Sequence, residues 1–149
     1  MVEVKFYETV DDSLLKFAVI AAKHKGKWVF CKHKDRDTYE CPGGHREQGE
    51  TILETAKREL WEETGAIQFN LQKICVYSII RDCEETFGML YFANIETFGK
   101  LPAMEIEKIE LFDGLPEKWT YPLIQPKLIE KTQAIIFEDV HIDHIMQQS

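Results

Sequence analysis

Thr51 to Gly65 is the stretch that constrains this chain most, because both of its ends and its inner face are written locally. Thr51-Ile-Leu-Glu54 has capping-box spacing, in which the threonine hydroxyl and the glutamate carboxylate satisfy backbone N–H groups orphaned at a helix start. Gly65, directly after Thr64, suits the left-handed residue that ends a helix. Between them Leu53, Ala56, Leu60 and Thr64 recur at i, i+3, i+7 and i+11, an inner stripe that needs a sheet to pack against.

Material for that sheet flanks the helix. Phe17–Ala22 and Trp28–Lys32 are short apolar runs joined by Lys23-His-Lys-Gly-Lys27, which reads as a hairpin turn. Ile74–Ile80 and Met89–Ile95 form a second pair around the polar Arg81–Glu85. A further strand is predicted over Ile106–Phe112, and a second helix within Pro122–Phe137, starting near Pro126. Strands interleaved with helices imply an α/β layer architecture. At 149 residues and 44% apolar content, with no repeat or linker tract, the expectation is one domain over residues 1–149.

The outer face of the helix is where chemistry enters. At about 100° per residue, Glu59, Glu62 and Glu63 share a sector of roughly 100°, a quarter-turn from the apolar stripe. Like charges at i, i+3 and i+4 repel by a few tenths of a kcal/mol per pair, so the patch is unfavourable unless a cation faces it. Mg2+ characteristically binds one or two carboxylates together with substrate phosphates. Just upstream, Cys41-Pro-Gly-Gly-His45 has adjacent glycines, which permit positive φ angles and close backbone approach, and a carbonyl exposed there would extend a hard-oxygen shell. Taken singly, either feature reads as an ordinary turn or a solvated helix face.

Together they meet the pattern G-x5-E-x7-R-E-U-x-E-E-x-G-U, U being a bulky aliphatic, through Gly44, Glu50, Arg58, Glu59, Leu60, Glu62, Glu63, Gly65 and Ala66. This is the Nudix box, over residues 44–66, and Ala66 is its one departure, a larger aliphatic being usual there. The sequence resembles the MutT-like Nudix hydrolases, and Tyr39–Gly44 looks like the short strand and turn that precede the box. The resemblance implies an α/β/α sandwich around a mixed β-sheet and hydrolysis of a nucleoside diphosphate linked to another moiety. By the same resemblance, the Gly43 carbonyl, Glu59 and Glu63 bind a divalent metal, Glu62 assists, and Arg58 and Glu50 pair to orient the glutamates. Family members take the general base either from the box or from a later loop, so Glu63 is the first candidate, with Glu105 and then Glu107 as rivals.

The function expected is a Mg2+- or Mn2+-dependent pyrophosphohydrolase acting on a nucleoside triphosphate, an oxidised purine such as 8-oxo-dGTP being the leading substrate. ADP-ribose, dinucleoside polyphosphates and capped RNA are the alternatives, as is a non-catalytic nucleotide-binding module. Composition bears on the partners. Against 18 Lys and Arg stand 26 Asp and Glu, a formal charge of -8, which argues against a protein that binds nucleic acid by neutralising phosphates. No run approaches the ~18 apolar residues of a membrane span, and the N-terminus lacks a signal-peptide layout, so the expected compartment is the cytoplasm. Cys31, Cys41, Cys75 and Cys83 contain no C-x-x-C pair and read as reduced thiols, Cys41 being the one placed to react. Lys34 and Arg36 are candidates for phosphate contact, and Trp28, Tyr39, Phe87 and Tyr121 for base stacking, although such residues more often serve as solvated charges and core aromatics. His141, Asp143 and His144 offer further ligands in what reads as a polar tail. The expected assembly is a monomer or homodimer.

Overall fold

Alternation along the strands sorts their side chains between two helices. The computed structural model describes residues 1–148, with side chains described as far as Ile136. Its elements are β1 (Val2–Tyr7), one turn of 3-10 helix (Asp12–Leu14), β2 (Leu15–His24), β3 (Lys27–His33), β4 (Gly43–His45), α1 (Ile52–Thr64), β5 (Ala66–Arg81), β6 (Glu84–Phe98), β7 (Ile106–Phe112) and α2 (Gln125–Gln148). Ile20, Ala22, Val29, Val76, Met89 and Tyr91 point to the α1 side, where they meet Ile52, Ala56 and Leu60. Their neighbours Ala21, Trp28, Phe30, Tyr77 and Leu90 point the other way, toward Ile124, Leu128 and Ile129 at the start of α2. The fold is an α/β sandwich with one helix on each face of the sheet.

The sheet runs β1-β5-β6-β2-β3-β7, with β4 added against β2. β2 and β6 are parallel and the other pairs antiparallel, so the sheet is mixed. The two hairpins turn at Lys25-Gly26 and Asp82-Cys83, where φ is positive at both residues, the backbone that matches strand twist in a two-residue turn. One irregularity creates the site. β3 pairs with β2 only from Ala22 to His24 and then diverges. The segment Glu40–Gly43 wedges into the gap, bonding Cys31 on one side (Cys31 N–H to Glu40 O, 2.9 Å) and β2 on the other (Ile20 N–H to Pro42 O, 2.9 Å).

Several sequence expectations need correction. β1 was not anticipated, although Val2, Val4 and Phe6 alternate and pack on the α2 side of the sheet. β5 and β6 run well beyond the apolar runs that announced them, because their ladder continues through polar positions from Gln68 to Gln72. The strand expected over Tyr39–Gly44 forms instead at Gly43–His45, while Tyr39 and Glu40 make isolated backbone bridges to Trp119 and Cys31. On α1 the capping box and the left-handed Gly65 (φ 76°) are present, but the inner stripe is Ile52, Ala56, Leu60 and Thr64, with Thr55 beside it, and Leu53 is 40% exposed. α2 begins one residue before Pro126 and extends past Phe137. The side chains of His141, Asp143 and His144 lie outside the described residues.

Candidate active site

The two adjacent glycines are needed for close approach, and for a different contact each. A Cβ on Gly43 would lie 2.5 Å from the Ala18 carbonyl oxygen, so a bare Cα is what lets β4 lie down on β2. A Cβ on Gly44 would lie 2.5 Å from Glu59 Oε1 and 2.7 Å from Oε2, so the second glycine admits a carboxylate from α1 against the loop. Neither glycine has a positive φ, so the left-handed conformation expected for them is not used.

Arg58 ties the loop to the carboxylates. Its Nε donates to Glu50 Oε2 at 2.6 Å and its Nη2 to Glu50 Oε1 at 3.1 Å, a two-pronged pair. Nη2 also donates to the His45 carbonyl (2.9 Å), while Nη1 donates to Glu59 Oε1 (2.8 Å) and Glu62 Oε2 (3.2 Å). The guanidinium holds the Glu50 carboxyl down to about 2. Thr55 and the Glu47 N–H donate to the same Glu50 carboxylate, which fixes it on the helix side. The contact between Arg58 and Glu50 expected from the sequence is thus present.

Glu63 is in the opposite electrostatic condition. Its Oε1 accepts the Gly43 N–H at 2.8 Å, its Oε2 lies 3.7 Å from His33 Nε2, and burial pushes its carboxyl up to about 8. Burial also raises Glu59, against the opposing pull of Arg58. Two carboxyls a helical turn apart, each raised by burial, offer hard oxygen donors that suit a divalent cation. Glu59 and Glu63 both line the cavity and could hold such a cation. Gly43 makes its described contact through its N–H, and Glu62 lies outside the cavity lining, held by Arg58. Among the described residues a different set of ligand atoms clusters, those of His33, Glu40 and Glu63, all within 4.8 Å of one another. There, however, His33 Nε2 already contacts the Glu40 carboxylate directly, so that pair is satisfied as it stands.

His33 and Glu40 were missed by the sequence reading. Glu40 is 5% exposed and is held by His33 and by Arg36 Nη1 at 3.4 Å. The one local hint was a carboxylate set in the apolar context Tyr39-Glu40-Cys41, since an acid there is seldom buried without partners. Glu105 lines the cavity beside His33, its side chain 82% exposed and its Oε2 3.9 Å from His33 Nδ1. Glu107 is not at the site; it pairs with Lys32.

These groups line a cavity of about 540 Å3, within the range of small-ligand sites. Arg36 lines it and lies against Tyr121; Lys34 does not line it. Of the four aromatics considered for stacking, only Tyr121 lines the cavity. Trp28 is core, Tyr39 packs edge-on against Phe112 (5.1 Å) and Phe87 against Tyr7 (5.7 Å). Cys41 is buried and its thiol is driven well up by desolvation, which removes it as a nucleophile; Cys83 is the exposed cysteine.

A helix that offers buried carboxylates to a glycine loop, braced by an arginine, is the arrangement of a Nudix domain. The chain belongs to that family: residues 14–114 match the NUDIX domain. It is 36% identical over 103 residues to YtkD of Bacillus subtilis (strain 168), provisionally named an 8-oxo-dGTP diphosphatase, a match covering 68% of this chain and 65% of that protein. It is 35% identical over 54 residues to an RNA pyrophosphohydrolase of Psychrobacter sp. (strain PRwf-1), covering 36% of this chain and 31% of the relative. The chain therefore spans less than two thirds of the length of either relative. Among solved structures it resembles the Bacillus subtilis pyrophosphohydrolase BsRppH, with TM-score 0.75 and 28% identity over 89% of this chain and 90% of that one.

Proposed function

We propose that this protein is a Mg2+- or Mn2+-dependent nucleoside triphosphate pyrophosphohydrolase whose substrate is an oxidised purine nucleotide of the 8-oxo-dGTP kind. The observation that carries the reading is Glu63, a buried carboxyl pushed up to about 8, facing the same cavity as Glu59 behind an Arg58–Glu50 clamp. The YtkD relative supports the substrate class. Glu59, Glu63 and the Gly43 carbonyl would hold the cation, and Glu62, held by Arg58 outside the cavity lining, would assist through that arginine. When bound, the cation supplies positive charge to the pyrophosphate oxygens and lowers the pKa of the attacking water.

The chain's own groups do the rest. Water adds to the phosphorus next to the nucleoside, the bridging P–O bond breaks, and pyrophosphate leaves with that bond's electron pair. Glu63 Oε2, the oxygen that Gly43 leaves free, accepts the proton of the water; Glu105, on the other side of His33, is the alternative acceptor. Arg58 keeps the carboxylates aimed, and Arg36 meets the leaving phosphates. The same proposal takes residues 1–149 as one domain acting in the cytoplasm, as a monomer or homodimer. A second reading, an RNA end as substrate, is motivated by the Psychrobacter relative, which is named an RNA pyrophosphohydrolase.

The test is a panel of nucleoside triphosphates, 8-oxo-dGTP, ADP-ribose, a dinucleoside polyphosphate and 5′-triphosphate RNA, assayed for phosphate and pyrophosphate release with and without Mg2+. The proposal expects metal-dependent pyrophosphate release, fastest from 8-oxo-dGTP. Binding without turnover across the panel would make the protein a nucleotide-binding module instead.

A further inference from the structure

One imidazole stands among three carboxylates. His33 is the last residue of β3, and the ladder with β7 shifts register between Lys32 and His33. Irregularities of this kind re-aim side chains at strand ends, and here His33 enters the cavity lining. Its Nε2 contacts Glu40 Oε1 directly and lies 3.7 Å from Glu63 Oε2, while its Nδ1 lies 3.9 Å from Glu105 Oε2. A carboxylate only accepts, so the Glu40 contact assigns a hydrogen to Nε2.

The ring is braced from behind. Glu40 is 5% exposed, and its backbone exchanges two hydrogen bonds with Cys31, at 2.9 and 3.0 Å, two residues before His33 on the same strand. Its second carboxylate oxygen, Oε2, accepts from Arg36 Nη1 at 3.4 Å. Glu40 therefore cannot follow a displaced ring, and the ring cannot turn away without leaving a buried carboxylate one donor short.

Glu63 is what the braced ring acts on. The Gly43 N–H holds Oε1 at 2.8 Å, and His33 stands against Oε2. Without the imidazole, Gly43 alone would grip the carboxyl, and a group held through one oxygen pivots about that bond. The loop bearing Glu105 is tied to the same strand end, because the Lys34 N–H donates to the Glu105 carbonyl at 3.0 Å.

We propose that His33 is a positioning residue of the hydrolytic site: braced by Glu40, it holds Glu63 oriented for its work on the cation and the attacking water. The inference rests on the nucleotide-hydrolase reading above and deepens it. In this role His33 touches neither the cation nor the nucleotide; it acts through Glu63, as outer partners that fix the direction of a metal-binding carboxylate do.

The test compares His33→Gln with His33→Asn in the full chain. A glutamine amide places a donor close to the position of Nε2 and keeps the bond to Glu40, whereas an asparagine amide ends near Nδ1 and falls short. Mn2+ binding without nucleotide is followed by electron paramagnetic resonance of the free ion, hydrolysis of 8-oxo-dGTP, or of the fastest member of the panel above, by steady-state kinetics, and folding by circular dichroism. In His33→Asn the Mn2+ affinity falls about tenfold and kcat about 10–100-fold, with KM moving less than about threefold, and His33→Gln returns each to within about threefold of wild type. A ring that served the fold alone would lower stability in both variants and spare kcat and Mn2+ affinity in the folded molecules. The inference is overturned if folded His33→Asn keeps either its kcat or its Mn2+ affinity within about threefold of wild type, if the loss lies in KM, or if His33→Gln does no better than His33→Asn. It is overturned equally if His33→Asn does not fold, which makes the ring a requirement of the fold. A wild type that binds Mn2+ without turnover refutes the enzymatic reading and leaves the Mn2+ comparison to decide this one; a wild type that does neither sinks both.

Discussion

Substituting Gly44 by alanine separates the needs of the site from those of the fold. The new Cβ would sit 2.5 Å from Glu59 Cδ and Oε1 and 2.7 Å from Oε2, where unstrained heavy-atom contact begins near ~3.5 Å. The carboxylate must therefore withdraw by about 1 Å, and displacement of a reacting or ligating group on that scale costs on the order of 100-fold in rate, or ~2.7 kcal/mol of transition-state stabilisation. Stability should hardly change, because what yields is the far end of a side chain, and its shift should cost less than ~1 kcal/mol. Gly43→Ala is the internal control. Its Cβ meets the Ala18 carbonyl oxygen at 2.5 Å and Val19 Cα at 3.0 Å, backbone against backbone, so β4 must lift from β2 at a cost of ~1–3 kcal/mol. The assay is pyrophosphate release at saturating Mn2+ alongside urea unfolding of both variants. If Gly44→Ala keeps activity within about threefold of wild type, or loses as much stability as Gly43→Ala, the steric account of the double glycine is wrong.

The remaining predictions concern charge and access. Glu50→Gln removes the 2.6 Å charge-assisted bond to Arg58 and frees the guanidinium to swing toward Glu59 and Glu62; turnover should fall ~10–100-fold, measured as kcat with KM little changed. Because the Glu50 carboxyl is held at about 2, below its unfolded value near 4.5, its contribution to stability is present above 4.5 and lost as pH falls toward 2; acid titration of wild type and Glu50→Gln by circular dichroism should diverge in that window. Glu63 has the opposite sign. With its folded value near 8, the metal-free protein is stabilised below about 4.5 and loses that contribution as pH rises to 8, so its urea midpoint should fall over that range and recover on adding Mg2+. Mg2+ affinity should correspondingly rise up to about tenfold per pH unit below 8, as metal displaces the proton, and a pH-independent affinity would exclude the buried carboxyl as a ligand. Finally, a thiol reagent applied to native protein should label Cys83 quickly and leave Cys31, Cys41 and Cys75 unmodified until denaturant is added, as mass spectrometry would show.

What the sequence determined by itself is what depends on neighbours along the chain. The capping box at Thr51, the helix stop at Gly65, the strand Ile106–Phe112 and the grouping of Glu59 with Glu63 all follow from spacing within a few residues, and the structure has each where the spacing puts it. Even there, a helical stripe read at one residue's error places Leu53 inside, because Ile52 and Leu53 differ by only ~100° around the axis and the sheet alone decides which is covered. Tertiary structure decided the rest. Glu40 becomes a buried partner of His33 only because β3 parts from β2 and a later segment fills the gap, and Gln125 accepts the N–H of Cys41, a partner 84 positions earlier. Glu105 and Glu107, two residues apart and alike in sequence, end at the cavity wall and on Lys32 respectively. Backbone hydrogen bonding and helical periodicity are local and can be read in order, whereas burial and the partner of a polar group depend on surfaces brought together from distant parts of the chain.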